Sequence, residues 1–254
     1  MSLCRLISML WIVVSLSVPV GAAERKALFA AMDDWPPFII DTGGVSSDSG
    51  FDGFDQELLQ ELASRSGVEI YLLRYPFARS LQDLKVGKID LITSLAKTPQ
   101  REKYIGYFSQ PYYQCHTAFY AQPNVAKVIR DYNDLKRRKI GYMGGSVYFE
   151  RFDNDASLNK DPVLSESQLP GKLLKGRNSV FVGTDCQMDY LLIKNGLSDQ
   201  IVKTAYRPTQ AVNLYIGYSK AAGIEREVLR LDAAMTQLIA EGWVQRLARN
   251  YFGP

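Results

Sequence analysis

Apolar positions along the chain repeat with two different periods, and the two periods alternate. Between residues 26 and 93, short apolar segments with a strand-like pattern are separated by segments in which apolar side chains recur every three to four residues. The predicted strands are 26–32, 68–73 and 89–93, and the predicted helices are 55–66 and 77–86. This alternation predicts an α/β fold with a largely parallel sheet covered by helices.

The same alternation resumes in a second series after an apolar strand at 115–122. The predicted strands of this series are 138–142, 179–183 and 213–219, and the predicted helices are 147–152 and 188–194. Two amphipathic helices separated at Gly242 end the chain. Because the chain exceeds the usual length of one domain, we predict two lobes. Residues 24–118 and 213–254 would form the first and 119–212 the second, joined by two strands near Ala118 and Asn213.

The N-terminal segment has the pattern of a secretory signal peptide. Arg5 precedes an apolar run from Leu6 to Val18, and small residues follow at Ala22 and Ala23. The alternative is an anchoring helix, but the uninterrupted apolar run is shorter than the roughly 18 residues that a spanning helix needs. We therefore predict that residues 1–23 are removed and that the remaining 231 residues (254 − 23) are exported as a soluble protein, with periplasmic localisation.

Composition argues against several classes of function. Removing Arg5 leaves 29 basic and 27 acidic side chains, a net charge of about +2 that does not indicate a nucleic-acid partner. A zinc site needs three or four Cys, His or carboxylate ligands, and the sequence shows no such cluster. The one histidine, His116, cannot serve two catalytic triads. It also has neither a phosphate-binding loop with a lysine nor a dinucleotide-binding glycine motif. We expect no cofactor and no metal.

Two cysteines, Cys115 and Cys186, remain after the predicted cleavage. In an oxidising compartment an even number of cysteines favours a disulfide bond, which would connect the entry to one lobe with a point within the other. Two buried thiols are the alternative, since free cysteine also packs as a small apolar residue. The sequence leaves both open.

Candidate chemistry is concentrated between Lys88 and Tyr113. A predicted strand runs into small and hydroxyl residues, including Ser94, and a Thr-Pro turn then presents Arg101. Hydroxyl groups and a planar guanidinium are suitable donors for a carboxylate, so this stretch is a candidate anion site. The alternative is that Arg101 is an exposed turn residue, as most arginines are.

The same stretch, GKIDLITSLAKTPQREKYIGYFSQPYY, resembles bacterial solute-binding protein family 3, the periplasmic receptors of amino-acid and related importers. The resemblance continues in 35–38 (WPPF), 53–55 (GFD), 144–146 (GGS) and 241–243 (EGW), in the family's order and spacing. It implies a two-lobed periplasmic-binding-protein type II fold, in which each lobe has a mixed, mostly parallel sheet and two strands form the hinge.

The resemblance also implies roles for individual residues. Arg101 matches the arginine that binds the ligand carboxylate, and Ser94 matches a hydroxyl donor beside it. Gly145 and Ser146 match a helix start in the second lobe that closes over the same carboxylate. Trp35 and Phe77 match aromatic positions that enclose the apolar part of the ligand.

Departures from the family pattern leave the recognition of a ligand ammonium group open. The family's acid follows the strand 180–182, where strict spacing places Thr184, and Asp185 stands one residue later. Val147 and Ala96 also replace frequent hydroxyl residues. An amino acid, a carboxylate without an amine and another polar solute are therefore all candidate ligands, with Asp185 as the candidate acid.

The resemblance implies a monomeric binding protein that captures a small solute and delivers it to an inner-membrane ABC permease. An alternative is a cyclohexadienyl-dehydratase-like lyase on the same fold, because a fold does not determine a function. Its proton donor would be Asp185 or Glu150. A third possibility is a periplasmic sensor of the same ligand class.

Overall fold

The computed structural model describes residues 27–31, 34–43 and 50–252. The predicted signal peptide lies outside these residues. The strands are β1 Ala27–Ala31, β2 Ile40–Asp41, β3 Phe51–Asp52, β4 Ile70–Arg74, β5 Leu91–Ala96, β6 Ile105–Tyr107, β7 Tyr113–Ala121, β8 Lys139–Met143, β9 Asn159–Val163, β10 Val180–Thr184, β11 Val202–Lys203 and β12 Ala211–Ser219. The α-helices are α1 Phe54–Ser66, α2 Phe77–Lys85, α3 Pro99–Glu102, α4 Pro123–Ala126, α5 Glu150–Asn154, α6 Gln168–Leu174, α7 Asp185–Lys194, α8 Glu225–Ala240 and α9 Trp243–Phe252. A short 3₁₀ helix covers Tyr132–Arg137.

Helix α1 shows how local sequence determines these elements. Leu58, Leu59 and Leu62 recur at helical spacing and are buried against the core. The helix ends at Gly67, whose φ of 65° lies in the left-handed region and whose N–H bonds the carbonyl of Ala63. The predicted helix at 55–66 is thus confirmed.

A ten-stranded mixed sheet organises the described chain, in the order β4-β1-β5-β12-β7-β10-β8-β9, with β6 beside β12 and β11 beside β7. Strands β4, β1 and β5 are parallel, and β12 joins β5 in antiparallel orientation. At the far end β10, β8 and β9 are again parallel. The prediction of a mixed α/β fold with parallel strands is confirmed.

Strand β7 connects the two ends of this sheet. Its residues from Tyr113 to His116 pair with β12, whereas those from Thr117 to Tyr120 pair with β10. We call the elements around β4-β1-β5-β12 the first lobe and those around β10-β8-β9 the second lobe. The arrangement is consistent with two lobes joined by two crossings of the chain, and the residue boundaries at 118 and 212 stay a prediction.

Several elements differ from the sequence expectation. Strand β5 continues to Ala96, so Ser94 lies within the strand and not after it. Helix α5 begins only at Glu150 because 147–149 are not helical, so the predicted helix start at Gly145 and Ser146 was wrong. Strand β9 was not predicted, since it contains Pro162, which lacks an N–H and argues against a strand.

The two cysteines form a disulfide bond in the structure. Cys115 in β7 and Cys186 at the start of α7 have Cα atoms 5.7 Å apart, within the range that a disulfide requires. The bond fastens the first turn of α7 to the strand that the two lobes share.

In the described part of the chain, no helix is both long enough and apolar enough to cross a membrane.

We predict that the double replacement Cys115→Ala and Cys186→Ala lowers the free energy of unfolding by about 2–4 kcal/mol. The physical reason is that the bond closes a loop with a sequence separation of 71 residues and so restricts the unfolded chain. Urea unfolding of the variant and of the wild type, each with and without reductant, measures the difference. Equal stability of the oxidised wild type and the variant would contradict the prediction.

Candidate ligand-binding site

A partly open cavity lies between the two lobes at the carboxyl ends of β5, β8 and β10. Parallel sheets bind ligands at this edge, because the connections after the strands converge there. Its volume is about 50 Å³. The lining residues are Trp35, Phe77, Ser94, Ala96, Arg101 and Leu214 from the first lobe, Val212 near the start of β12, and Met143, Ser146, Val147, Tyr148, Glu166 and Thr184 from the second lobe.

Arg101 is fixed in the wall of this cavity by its own turn. Thr98 caps the short helix α3, and its hydroxyl accepts a hydrogen bond from the Arg101 N–H at 3.2 Å. The side chain is directed inward, so that only 6% of the residue is exposed. Nη1 donates to the Ala96 carbonyl at 2.7 Å and Nη2 to the Gly145 carbonyl at 2.9 Å. The interpretation of Arg101 as an exposed turn residue was therefore wrong.

The Arg101 guanidinium has no carboxylate within ion-pair distance among the described residues. It lies over the ring of Phe77, with its central carbon 5.7 Å from the ring centroid. Burial lowers its pKa from the ordinary value, although an arginine remains charged at neutral pH. Asp153 interacts with the guanidinium electrostatically from beyond ion-pair distance. A buried cation that lacks a direct ion-pair partner can bind an incoming anion.

Ser94 is part of a hydrogen-bond network beneath the cavity, and its φ of 52° lies in the left-handed region. Its N–H donates to the Tyr112 hydroxyl at 2.8 Å, and its own hydroxyl donates to the Asp55 carboxylate at 2.7 Å. Tyr112 donates to the other Asp55 oxygen at 2.9 Å. When Asp55 is ionised, the Ser94 oxygen therefore faces the cavity as an acceptor, not as the donor that we expected.

Glu166, which was not predicted as a site residue, is the carboxyl group that lines the cavity within the described chain. It lies three residues after β9 and is 4% exposed. Its Oε2 accepts a hydrogen bond from Trp35 Nε1 at 3.0 Å, and its Oε1 accepts one from the Tyr148 hydroxyl at 3.4 Å. Because Pro162 conceals the preceding strand, the position of Glu166 after a strand end could not be recognised from the pattern.

Burial raises the pKa values of two acidic side chains at this site. The pKa of Glu166 rises from 4.5 to about 7, although the hydrogen bonds from Trp35 and Tyr148 oppose the effect. The pKa of Asp55 rises from 3.8 to about 6 for the same reason, with Ser94 and Tyr112 opposing it. Both carboxyl groups therefore change charge within about one pH unit of neutrality.

The structure brings most of the predicted site residues together. Trp35, Phe77, Ser94, Arg101 and Ser146 line the cavity. Gly145 contributes the carbonyl that binds Arg101 and has a φ of 82°. A side chain there would meet the Phe77 ring at 3.7 Å, and its positive φ favours glycine.

Asp185 does not line the cavity. Its Oδ1 accepts hydrogen bonds from the backbone N–H groups of His116 and Cys186, both at 2.8 Å, and it borders a separate surface depression. Thr184, one residue earlier, faces the cavity, and its buried Oγ1 has no hydrogen-bond partner within the described structure. The strict spacing thus indicated the cavity position correctly, and the residue there is a threonine. Glu150, the other candidate proton donor, is exposed at the start of α5 and does not line the cavity either.

Comparison with known proteins is consistent with this geometry. The model of the family described as "Bacterial extracellular solute-binding proteins, family 3" matches residues 28–254. A probable histidine-binding protein of Campylobacter jejuni is 34% identical over 101 residues, which cover 39% of each chain. The arginine-binding extracellular protein ArtP of Bacillus subtilis is 28% identical over 131 residues, 51% of this chain and 48% of that protein. The chain therefore matches less than half the length of either relative.

Among solved structures, a histidine kinase sensor domain with similarity to periplasmic binding proteins superimposes with a TM-score of 0.79. The two chains are 17% identical, and the match covers 91% of this chain and 97% of the other. At this identity the likeness concerns the fold.

We predict that Glu166→Gln flattens the pH dependence of stability of the ligand-free protein. A rise in pKa from 4.5 to about 7 means that the folded state disfavours the ionised carboxylate, by roughly 3 kcal/mol when it is fully ionised. Wild-type stability is thus highest below pH 4.5 with respect to this group and falls as the pH rises through about 7. The glutamine variant has no carboxyl group at this position, so its stability should not fall in this way. Urea unfolding of both proteins at pH 6, 7 and 8 measures the difference in free energy of unfolding.

Glu150→Gln is the matched control for this prediction, because it makes the same chemical change at an exposed position of the second lobe. Its stability should follow the wild-type pH dependence. If Glu166→Gln also kept the wild-type slope between pH 6 and 8, the raised pKa of Glu166 would be refuted.

Proposed function

Because the chain belongs to the bacterial extracellular solute-binding proteins of family 3, we propose that it binds an amino acid or a similar carboxylate-bearing solute between its lobes. The observation that carries this proposal is the buried Arg101, whose guanidinium faces the cavity with carbonyl groups as its hydrogen-bond partners. A ligand carboxylate would supply the direct ion-pair partner that this cation lacks among the described residues. A guanidinium binds a carboxylate through two parallel N–H···O bonds, which also orients the ligand.

Two hydrogen bonds between the lobes support a mechanism of closure. Arg101 in the first lobe bonds Gly145 in the second, and Trp35 in the first lobe bonds Glu166 in the second. Ligand contacts from both lobes exist together only when the lobes are closed, so binding would shift the population toward this form. In this mechanism the lobes are residues 24–118 with 213–254, and residues 119–212.

Delivery of the solute to an inner-membrane ABC permease follows from the family's role as importer receptors. We propose that the protein acts in the periplasm after removal of residues 1–23, as a monomer whose closed form docks transiently on the permease. These parts of the proposal concern partners and location, and the contacts within the cavity do not depend on them.

We predict that Arg101→Ala weakens binding of the carboxylate solute by about 2–5 kcal/mol, because it removes one side of a desolvated charge pair. Thermal-shift screening of amino acids, organic acids and amines first identifies the solute, since a ligand bound to the folded state raises the melting temperature. Calorimetric titration of wild type and variant then measures the change in affinity.

Arg246→Ala is the control for the loss of an arginine, since Arg246 is exposed and also donates to a backbone carbonyl, that of Glu241. It should bind like the wild type. Unchanged affinity of Arg101→Ala for the identified solute would remove Arg101 from the site, and a wild type that binds none of the compounds would refute the proposed function.

A lyase of the cyclohexadienyl-dehydratase type remains a second candidate because of one observation. Glu166 lines the same cavity as the anion-binding Arg101, and its pKa of about 7 would allow it to donate a proton at neutral pH. Purified protein incubated with prephenate would then release water and carbon dioxide to form an aromatic product. Product formation that Glu166→Gln abolishes would favour the lyase, and its absence would favour binding alone.

A further inference from the structure

The cavity contains one basic and one acidic side chain that do not pair with each other. Arg101 belongs to the first lobe and Glu166 to the second, and both line the same space. No nitrogen of Arg101 lies within 4.0 Å of a Glu166 oxygen, since this pair is absent from the ion pairs of the described residues. Two opposite charges kept apart in one cavity between the lobes favour a ligand that also carries two opposite charges.

Unused acceptors on the cavity wall point in the same direction. The Ser94 hydroxyl proton is directed to Asp55, which leaves the Ser94 oxygen with acceptor capacity toward the cavity. The Thr184 Oγ1 is buried there without a partner among the described residues. Each Glu166 oxygen accepts one hydrogen bond and retains a further acceptor site. A ligand with several N–H donors would satisfy these atoms.

We propose that Glu166 recognises a cationic nitrogen of the solute, so that the ligand carries an ammonium or guanidinium group as well as a carboxylate. This inference rests on the proposed function and makes it more specific, because it selects a zwitterionic or cationic amino-acid solute over a simple organic acid. Glu166 would supply the acidic group that Thr184 cannot supply and that Asp185 does not bring to the cavity.

Glu166 also bonds Trp35 across the lobes, and a role in closure alone has to be distinguished from recognition. If Glu166 served only to hold the lobes together, its replacement would lower the affinity for every ligand by a similar factor, because every ligand binds the same closed form. If it recognises a cation, only ligands that carry the cation should be affected. The comparison of matched ligands therefore separates the two roles.

Proton release supplies a second readout. A bound cation favours ionised Glu166, so binding near pH 7 should expel the proton from the fraction of molecules in which the carboxyl is protonated. Asp153, whose pKa is raised by burial, interacts with Tyr148 and Arg101 and is unchanged in the variants compared. The other titratable groups near Glu166 are Tyr148 and Tyr120, which interact with it, and Arg101, which lines the same cavity. Burial raises the pKa of both tyrosines above 10, and Arg101 stays charged, so none of them titrates near pH 7. Asp55, with a pKa of about 6, lies beneath Ser94 and is unchanged in the variants compared.

The experiment uses the amino acid that binds the wild type best, together with its deaminated acid and its decarboxylated amine. For L-histidine these are imidazolepropionate and histamine, and for L-arginine they are guanidinopentanoate and agmatine. Calorimetric titrations of the wild type, Glu166→Gln and the control Glu150→Gln are made at pH 7 in two buffers with different ionisation enthalpies. The difference between buffers gives the number of protons released.

We expect Glu166→Gln to weaken the binding of the amino acid by about tenfold or more. This change in affinity corresponds to the lower end of measured coupling energies between close charge pairs. The wild type should release about half a proton more per amino acid at pH 7 than the glutamine variant, in which Asp55 and Asp153 are retained. Glu150→Gln should behave like the wild type. If Glu166→Gln weakens binding of the amino acid and of the decarboxylated amine but not of the deaminated acid, Glu166 recognises the α-ammonium group. If it also weakens binding of the deaminated acid of a cationic amino acid, Glu166 recognises the cationic side chain.

If Glu166→Gln lowered the affinity for all ligands equally, including an acid without any cationic nitrogen, the inference would be overturned. Glu166 would then be only a contact that closes the lobes. Proton release that is as large in Glu166→Gln as in the wild type would overturn it as well. In both cases the wild type still binds an amino acid, so the proposed function stands. If the wild type bound no amino acid, amine or acid, the proposed function itself would fail.

Discussion

The two hydrogen bonds of the Arg101 guanidinium to backbone carbonyls are the interaction on which the rest of the site depends. One carbonyl, that of Ala96, ends β5 in the first lobe, and the other, that of Gly145, belongs to a turn in the second. A buried guanidinium needs several acceptors, and these carbonyl dipoles do not replace a direct ion pair. The fold thus places a buried cation where both lobes meet. Phe77, packed beside the guanidinium, excludes water without competing for it.

The two buried acids show how the same burial affects chemistry and stability. Asp55 lies under the end of β5, where it orients the Ser94 and Tyr112 hydroxyls, and Glu166 faces the cavity itself. Removal from water raises the pKa of each acid. Ionising either carboxyl group near neutral pH therefore lowers the stability of the folded protein. A stable core would not retain such groups unless they had partners. Asp55 has its hydroxyl partners within the protein, whereas Glu166 has only two donors and faces an open volume.

Much of the fold and part of the site could be predicted from sequence because local patterns encode them. The strand–helix alternation gave the α/β class, and the Thr-Pro turn placed Arg101. The identity of the acid could not be obtained in this way. Glu166 follows β9, a strand that could not be predicted because it contains Pro162. Asp185 begins α7, and its carboxylate accepts hydrogen bonds from backbone N–H groups and does not face the cavity. Ser94 was assigned to the cavity correctly, but the direction of its hydroxyl depends on Asp55, which is 39 residues away in the chain. Such long-range partners are not visible in local patterns.

The contacts that close the lobes use the same side chains that face the cavity. Arg101 and Glu166 each hold one hydrogen bond across the lobes through one part of the group and present another part to the cavity. A ligand therefore does not have to break the contacts between the lobes in order to bind these residues. It would add to them, because a carboxylate beside Arg101 and a cation beside Glu166 each strengthen the charged form that makes the bond. Closure and recognition are then one equilibrium, and the free energy of the ligand contacts determines how far it lies toward the closed form.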